Sequence, residues 1–202
     1  IYLFSSPPMP IIAVMPPKST WYDQGLPQSS NESAGKNNAI QHGLVPNQDR
    51  VKKQYSQLIQ TLRERVGESL LSLDIASMQD NAVFIRDAFL SNQQDTILQS
   101  RFRKSNRMDQ SSQIAEQLKY KLKRLWISRN IISPPESDWL FFEWWDFRYI
   151  NWSNILFAWY NPNSPTSRNS LTWIEWVSSE LGISKENIIM VHSKGFHIDT
   201  VL

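Results

Sequence analysis

The stretch NILFAWYNPNSPTSRNSLTWIEWVSSELGISKENIIMV, at residues 154–191, carries a strand, a helix and a second strand in succession. The apolar runs at 154–159 and 187–191 are short and are bounded by polar or turn-forming residues, which is typical of buried strands. Residues 169–181, between them, have the length and the apolar spacing of a helix. Strands that alternate with helices of this length predict an α/β domain.

The same pattern continues toward the start of the chain. One strand and one helix are followed by two β-β-α-β units, at residues 70–132 and 140–191, which repeat in pattern and not in sequence. Segment 19–47 is polar and contains three glycines, so it predicts a long loop. The other predicted strands are 11–14, 70–75, 82–90, 96–102, 130–132 and 140–147, and the other predicted helices are 49–68 and 111–125.

The charge of the chain argues against several classes of partner. Lys and Arg number 21 against 19 Asp and Glu, a net charge of +2, whereas binding to nucleic acid or anionic lipid needs a clustered basic excess. The one basic cluster, at residues 101–107, is interpreted as a solvated surface. No apolar run reaches the length of a membrane span. We therefore expect no nucleic-acid partner and no membrane partner.

Cysteine is absent from the 202 residues. Neither a disulfide nor a thiolate metal site can form without it. This composition fits a reducing compartment, and we expect a cytoplasmic location. The length of the chain argues for one domain with a sizeable core.

Both ends of the chain are expected to be cut. The apolar start, Ile1 to Val14, lacks an initiator Met and a basic region, and prolines interrupt it, so it does not predict a signal peptide. The sequence stops at Thr200-Val201-Leu202, inside an apolar, β-branched stretch. We therefore expect residues 1–202 to form an incomplete domain with an unpaired apolar edge near Val201, prone to aggregate when expressed alone.

Three short motifs place acids and one histidine at predicted strand ends. They are DNAVFIRD at residues 80–87, FFEWWDF at 141–147 and FHIDTV at 196–201. Polar strand ends that pair with their neighbours would explain any one motif alone. Together, several acids and one imidazole can surround a cation, and a guanidinium suits them because it pairs with a carboxylate through two parallel hydrogen bonds.

The motifs resemble those of the arginine deiminase and amidinotransferase superfamily of guanidine-modifying enzymes. NAVFIRD is similar to the N-x-x-F-T-R-D segment of arginine deiminases, and FHIDTV is similar to their H-L-D-T-V segment. FEWWDF resembles the E-G-G-D motif of the superfamily, with both glycines replaced. IIAVMPP, at 11–17, fits the usual first strand, and NPNSPTSRNSL, at 161–171, fits a loop with an Arg-Thr-Ser-like sequence. The resemblance covers nearly the whole chain, in order.

The resemblance implies a propeller of five ββαβ units, of which about three would be present in this chain. It also implies a small guanidine compound as substrate, and neither a metal nor a cofactor. The nucleophile of the family is a cysteine in a late loop, and we interpret its absence from this chain as truncation. The implied site residues are His197 as general acid and base, Glu143 as a hydrogen-bond partner of the guanidinium or the imidazole, Asp87 and Asp199 as guanidinium ligands, Asn81 and Phe84 at the amino-acid end, and Arg168 and Arg107 at the substrate carboxylate.

Three functions remain open at this point. An arginine-deiminase-like hydrolase that uses covalent cysteine catalysis is the leading hypothesis, because NAVFIRD followed by HIDTV favours the hydrolases. The second is an amidinotransferase. The third is a non-catalytic binding protein with a pocket closed by Trp144 and Trp145. A late cysteine in the full-length sequence would favour an enzyme over a binding protein.

Tryptophan is frequent where glycine is expected. The chain has nine Trp and six Gly, and Trp144 and Trp145 replace glycines that would let backbone and substrate approach closely. Both indoles are either genuine or the product of UGA codons that the source organism reads as glycine. UGG codons at 144 and 145 would refute the second interpretation. Other tryptophans at positions where a turn or helix-end glycine would be natural are Trp126, Trp139, Trp159 and Trp173.

Overall fold

The computed structural model describes residues 11–18, 22, 40–74, 85–102, 105–136, 146–160 and 171–192. These residues belong to two compact units, one within Ile1–Val83 and one within Phe84–Leu202. Among the described residues, the first unit contains one strand pair, one long helix and the helical residues Ile40 and Gln41. The described residues of the second unit form two three-stranded sheets and two α-helices.

The first unit is a β-α-β element. Strands β1 (Ile12–Val14) and β2 (Leu70–Ser72) pair in parallel, and helix α1 (Gln48–Val66) connects them. The helix begins where the side chain of Asn47 accepts a hydrogen bond from the amide of Arg50 at 2.9 Å, which satisfies one of the free donors of the first turn. This hydrogen bond helps to fix the start of the helix, which is useful because the apolar face of the helix is only partly buried.

One face of α1 is apolar, and it is half-buried. Its residues Val51, Tyr55 and Ile59 recur at the spacing of helix turns, whereas Leu58 is 51% exposed. Burial raises the pKa of the Tyr55 hydroxyl. Helix α1 contacts β2 within this unit.

The second unit begins with a sheet in the order β3-β4-β5. Strand β3 (Phe89–Ser91) is antiparallel to β4 (Thr96–Gln99), and β4 is parallel to β5 (Asn130–Ile132). Helix α2 (Ser105–Arg124) forms the crossover between the two parallel strands and buries Ile114, Ala115, Leu118 and Leu122. This sheet and its helix form one β-β-α-β unit.

The turn between β3 and β4 is built around one amide side chain. The Oδ1 atom of Asn92 accepts hydrogen bonds from the backbone amides of Gln94, Asp95 and Thr96, at 2.9 to 3.1 Å. Hydrogen bonds from Asn92 and Thr96 lower the pKa of Asp95.

The second sheet repeats this topology. Strand β6 (Phe147–Ile150) is antiparallel to β7 (Ile155–Trp159), β7 is parallel to β8 (Ile188–Val191), and helix α3 (Leu171–Glu180) forms the crossover. The two sheets share one apolar core, which joins residues of β3, β4, β6, β7 and α3. Its members are Leu90, Leu98, Phe147, Leu156, Ala158, Trp173, Ile174, Val177, Leu181 and Ile183.

The structure confirms the repeated β-β-α-β pattern and corrects its boundaries. The first repeat begins at Phe89 and not at residue 70, because β2 pairs with β1 in the other unit. Residues 85–88, predicted as strand, form a 3-10 turn. The second repeat begins with β6 at Phe147, the residue where the predicted strand at 140–147 ends; residues 140–145 lie outside the described residues.

Two other predictions need correction. Helix α2 begins at Ser105, six residues before the predicted start, and therefore includes Arg107 in its first turn. The long loop predicted at 19–47 lies mostly outside the described residues, and within its described part Ile40 and Gln41 are helical. The loop prediction is wrong for those two residues.

Helices α2 and α3 end in the same hydrogen-bonded motif. In α3 the amide of Ile183 donates to the carbonyl of Ser178 at 2.8 Å, and Gly182 has a φ of 68°. In α2 the amide of Ile127 donates to the carbonyl of Leu122 at 3.0 Å. The left-handed position belongs to Trp126, which has a φ of 57° and is 95% exposed. Glycine is the usual residue at this position, because it has no Cβ to strain there.

We expect Trp126→Gly to raise the free energy of unfolding by about 1 kcal/mol, because a left-handed backbone costs an L-residue about 1–2 kcal/mol. The exposed indole contributes little packing that could offset this gain. Urea unfolding monitored by circular dichroism would measure the change.

The matched control is Gly182→Ala, which should lower the free energy of unfolding by a similar amount, because Gly182 occupies the equivalent position in α3. A destabilised Trp126→Gly variant would contradict the prediction.

Candidate functional site

Asp87 lies at one edge of the first sheet. It belongs to the 3-10 turn Ile85–Ala88, directly before β3, and is 6% exposed. The amide of Ser100 donates to the carbonyl of Ala88 at 2.8 Å, which extends the β3–β4 pairing toward Asp87. Asp87 therefore lies where β3 begins and where the parallel strands β4 and β5 end, and we call this side the carboxyl edge of the sheet.

Asp146 has the corresponding place in the second sheet. It comes directly before β6 and is fully buried. Phe147 pairs with Ala158 near the end of β7, and the amide of Tyr160 donates to the carbonyl of Val191 at 3.2 Å, where β8 ends. Each β-β-α-β unit therefore presents one buried acid at its carboxyl edge. In α/β folds, ligands bind outside the carboxyl ends of parallel strands.

A polar groove lies at the carboxyl edge of the first sheet. Its volume is about 350 Å³, which is the size of a site for a small molecule. The ends of β4 and β5 and the second and third turns of α2 form its walls. Its lining residues include Gln99, Ser100, Arg101, Ser111, Ser112 and Ser133.

The side chain of Gln99 joins three segments around this groove. Its Nε2 atom donates to the hydroxyls of Ser111 at 3.3 Å and Ser112 at 3.1 Å, and its Oε1 atom accepts from the hydroxyl of Ser133 at 2.9 Å. Arg101 adds a further link, because its Nη1 atom donates to the carbonyl of Pro135 at 2.9 Å. The carboxyl edge is therefore tied together by side chains as well as by strand pairing.

Of the residues predicted for the site, Asp87 is the one that the structure describes in full. Arg107 lies in the first turn of α2, which starts at the carboxyl edge because it follows β4; the placement of its side chain is not described. The other predicted site residues lie outside the described residues, and their convergence stays a prediction. They are Asn81, Phe84, Glu143, Arg168, His197 and Asp199.

Sequence reasoning assigned no role to two residues of this region. Asp146 is the second acid of FFEWWDF and aligns with the aspartate of the E-G-G-D motif, and this alignment is the sequence signal that identifies it. Gln99 gave no signal, because a single glutamine near the end of an apolar run has no distinctive pattern.

The described part of the chain contains no group of three or more His, Cys, Asp or Glu side chains placed to hold a metal ion. Nor do its helices include one that is long and apolar enough to cross a membrane.

No protein-family model and no curated protein matches the sequence of the chain. Solved structures do match its fold. The N-terminal domain of ArgZ, an arginine dihydrolase from the ornithine-ammonia cycle in cyanobacteria, aligns with a TM-score of 0.61 at 17% identity. A mutant dimethylarginine dimethylaminohydrolase, in an adduct with S-methyl-L-thiocitrulline, aligns with a TM-score of 0.61 at 16% identity. The chain has the fold of the guanidine-modifying enzymes.

The alignments cover most of this chain and a smaller share of its neighbours. They include 93% of this chain and 60% of the ArgZ N-terminal domain, and 95% of this chain and 65% of the dimethylarginine dimethylaminohydrolase. Unliganded AgrE matches with a TM-score of 0.62 at 19% identity, over 93% of this chain and 24% of that protein. The chain therefore spans less than two thirds of the length of these guanidine-modifying neighbours.

Proposed function

We propose that this chain forms the guanidinium-binding part of an arginine-deiminase-like hydrolase, and that the substrate is arginine or a related guanidine compound. The observation that carries the proposal is the pair of buried acids, Asp87 and Asp146, at the carboxyl edges of two units with this fold. The named neighbours support it, since they include an arginine dihydrolase and a mutant of AgrE in a complex with L-arginine.

A guanidinium is a permanent cation with five N–H donors in a plane, so carboxylates can pair with it from more than one direction. We propose that Asp87 and Asp146 bind it from two units, and that Glu143 and Asp199 complete the set. The units would belong to a ββαβ propeller.

The proposed reaction needs a nucleophile that the 202 residues do not contain, since cysteine is absent from them. A cysteine thiolate from elsewhere in the full-length protein would attack the guanidinium carbon. His197 would protonate the departing nitrogen as the C–N bond breaks, and would then take a proton from the water that hydrolyses the thiouronium intermediate. The acids would hold the carbon in place and keep the group charged. Arg107 and Arg168 would bind the substrate carboxylate, and Asn81 and Phe84 would line the amino-acid end.

The test is the binding of L-arginine compared with L-citrulline, measured by isothermal titration calorimetry. Citrulline has nearly the same size and replaces the guanidinium with a neutral ureido group, so the comparison isolates the charge. We expect arginine to bind at least tenfold more tightly, because hydrogen bonds between charged partners contribute about 1.5–3 kcal/mol. Equal binding of the two amino acids would contradict the proposal.

A second measurement addresses the chemistry. The 202-residue chain should produce no citrulline from arginine, because it contains no cysteine. Citrulline formation by this chain would overturn the cysteine mechanism while leaving the binding proposal intact.

A further inference from the structure

We infer that Gln99 is a positioning residue for this site, and that it fixes the end of β4, next to the turn that carries Asp87, against the start of α2, which carries Arg107. The inference rests on the proposed function and extends it to a residue that contacts no substrate. It starts from the three side-chain hydrogen bonds of one buried amide.

The first of the three segments that meet at Gln99 is the end of β4, which backbone hydrogen bonds join to the turn that carries Asp87. Gln99 is the last residue of β4 and pairs with Phe89 of β3, two residues beyond Asp87. The next residue, Ser100, donates to the carbonyl of Ala88, which directly follows Asp87. A displacement of the end of β4 would therefore move the turn on which this carboxylate lies.

The second and third segments are held by the amide group itself. Ser111 and Ser112 lie on α2, one turn beyond Arg107, so the two bonds from Nε2 fix the start of that helix. Ser133 directly follows β5, so its bond to Oε1 links the end of that strand to the end of β4. One amide therefore joins the end of β4, the start of α2 and the end of β5.

Few side chains could replace this amide. Gln99 is 6% exposed, so a group that cannot form these bonds would leave the hydroxyl of the buried Ser111 without one of its partners. A leucine of similar volume can make none of the bonds. A glutamate can accept from all three serines, since each hydroxyl can rotate to donate. Comparison of the two replacements therefore separates the effect of side-chain volume from the effect of the three hydrogen bonds.

The experiment measures the affinity of two ligands for variants of the full-length protein. L-arginine would be held at both ends, by the acids and by the arginines, whereas guanidinium chloride offers only the cation. We expect Gln99→Leu to weaken binding of arginine about tenfold and binding of guanidinium less than about twofold. A small ion can still bind a carboxylate that has moved. Arginine gains affinity because both of its ends bind at once, and it loses that gain when the two sets of partners are displaced from each other.

The matched controls are Gln94→Leu and Gln99→Glu. Gln94 is exposed and lies in the β3–β4 turn, at the opposite end of the same sheet, so its replacement should change neither affinity. Gln99→Glu should restore arginine binding to within about threefold of the original protein. Nuclear magnetic resonance titration suits all of these measurements, including weak binding of the ion.

The outcomes separate the inference from the proposed function. Equal weakening of both ligands by Gln99→Leu would show a general loss of structure and would overturn the positioning role. Unchanged arginine binding would overturn it as well. If the original protein binds no arginine, the proposed function fails and this inference fails with it.

Discussion

Asp87→Asn is expected to weaken the binding of L-arginine about 100-fold. Asp87 is 6% exposed and lies next to the strand pairing at the carboxyl edge. Removal of one partner from a buried, hydrogen-bonded charge pair costs about 2–5 kcal/mol, and each 1.4 kcal/mol is a factor of ten in affinity. The amide of asparagine keeps the shape of the side chain, so the loss would report on its charge and its acceptor atoms.

The control for this prediction is Glu186→Gln, which removes one negative charge from an exposed position just before β8, at the opposite edge of its sheet. It should change arginine affinity by less than about twofold, because solvent and salt screen exposed charges. Calorimetric titration at one salt concentration would compare the variants. Full arginine affinity in Asp87→Asn would remove this residue from the site.

Trp173→Gly is expected to have the largest effect on stability, a loss of about 4 kcal/mol in the free energy of unfolding. The indole is 1% exposed, belongs to the core shared by both sheets, and meets the ring of Trp176 edge to face with centroids 5.1 Å apart. Replacement of a buried large aromatic side chain by a small one costs about 3–5 kcal/mol, and glycine within a helix adds nearly 1 kcal/mol.

Two further variants serve as an exposed control and as a milder change at the same position. Trp152→Gly changes an indole that is 89% exposed, and it should cost less than about 1 kcal/mol. If Trp173→Gly does not fold at all, Trp173→Phe provides a milder change, with an expected loss of about 1–2 kcal/mol. Urea unfolding would measure each value, and a Trp173→Gly variant as stable as the parent would contradict the prediction.

These tryptophans bear directly on the two interpretations of the Trp-rich sequence. Trp126 occupies a left-handed position that suits glycine, which agrees with the UGA interpretation. Trp173 is a buried residue of helix α3, and Trp159 is 6% exposed at the end of β7. Neither lies in a turn or at a helix end, so the interpretation of these two positions as turn or helix-end glycines is wrong. Trp139, Trp144 and Trp145 lie outside the described residues. The codons at 126, 144 and 145 would test the interpretation directly.

The sequence predicted helices better than it predicted the ends of strands. The stripe of Ile114, Leu118 and Leu122 identified α2 because all three side chains are buried on one face. Its first turns escaped detection because residues 105–110 are almost entirely polar and show no apolar period. Similarly, the apolar run at 82–90 predicted one long strand, although apolar pattern alone does not distinguish a buried turn from a strand.

For the site, the sequence predicted residue types and not their arrangement. DNAVFIRD indicated Asp87 as a site residue, and the structure buries this carboxylate in a turn and not on a strand. The links made by Gln99 join residues 12 to 34 positions apart in the sequence. Such pairings depend on how the chain folds back on itself, and local pattern carries no information about them.

The place of Asp87 and Asp146, each at the entrance to the first strand of a β-β-α-β unit, has a consequence for the kind of ligand that suits the fold. Because the β-β-α-β unit is repeated, each copy places one acid at the same position relative to its strands. A guanidinium is itself nearly three-fold symmetric, with N–H groups directed outward around one plane. Under the proposed function, each repeated unit would supply one acceptor to one side of this flat cation.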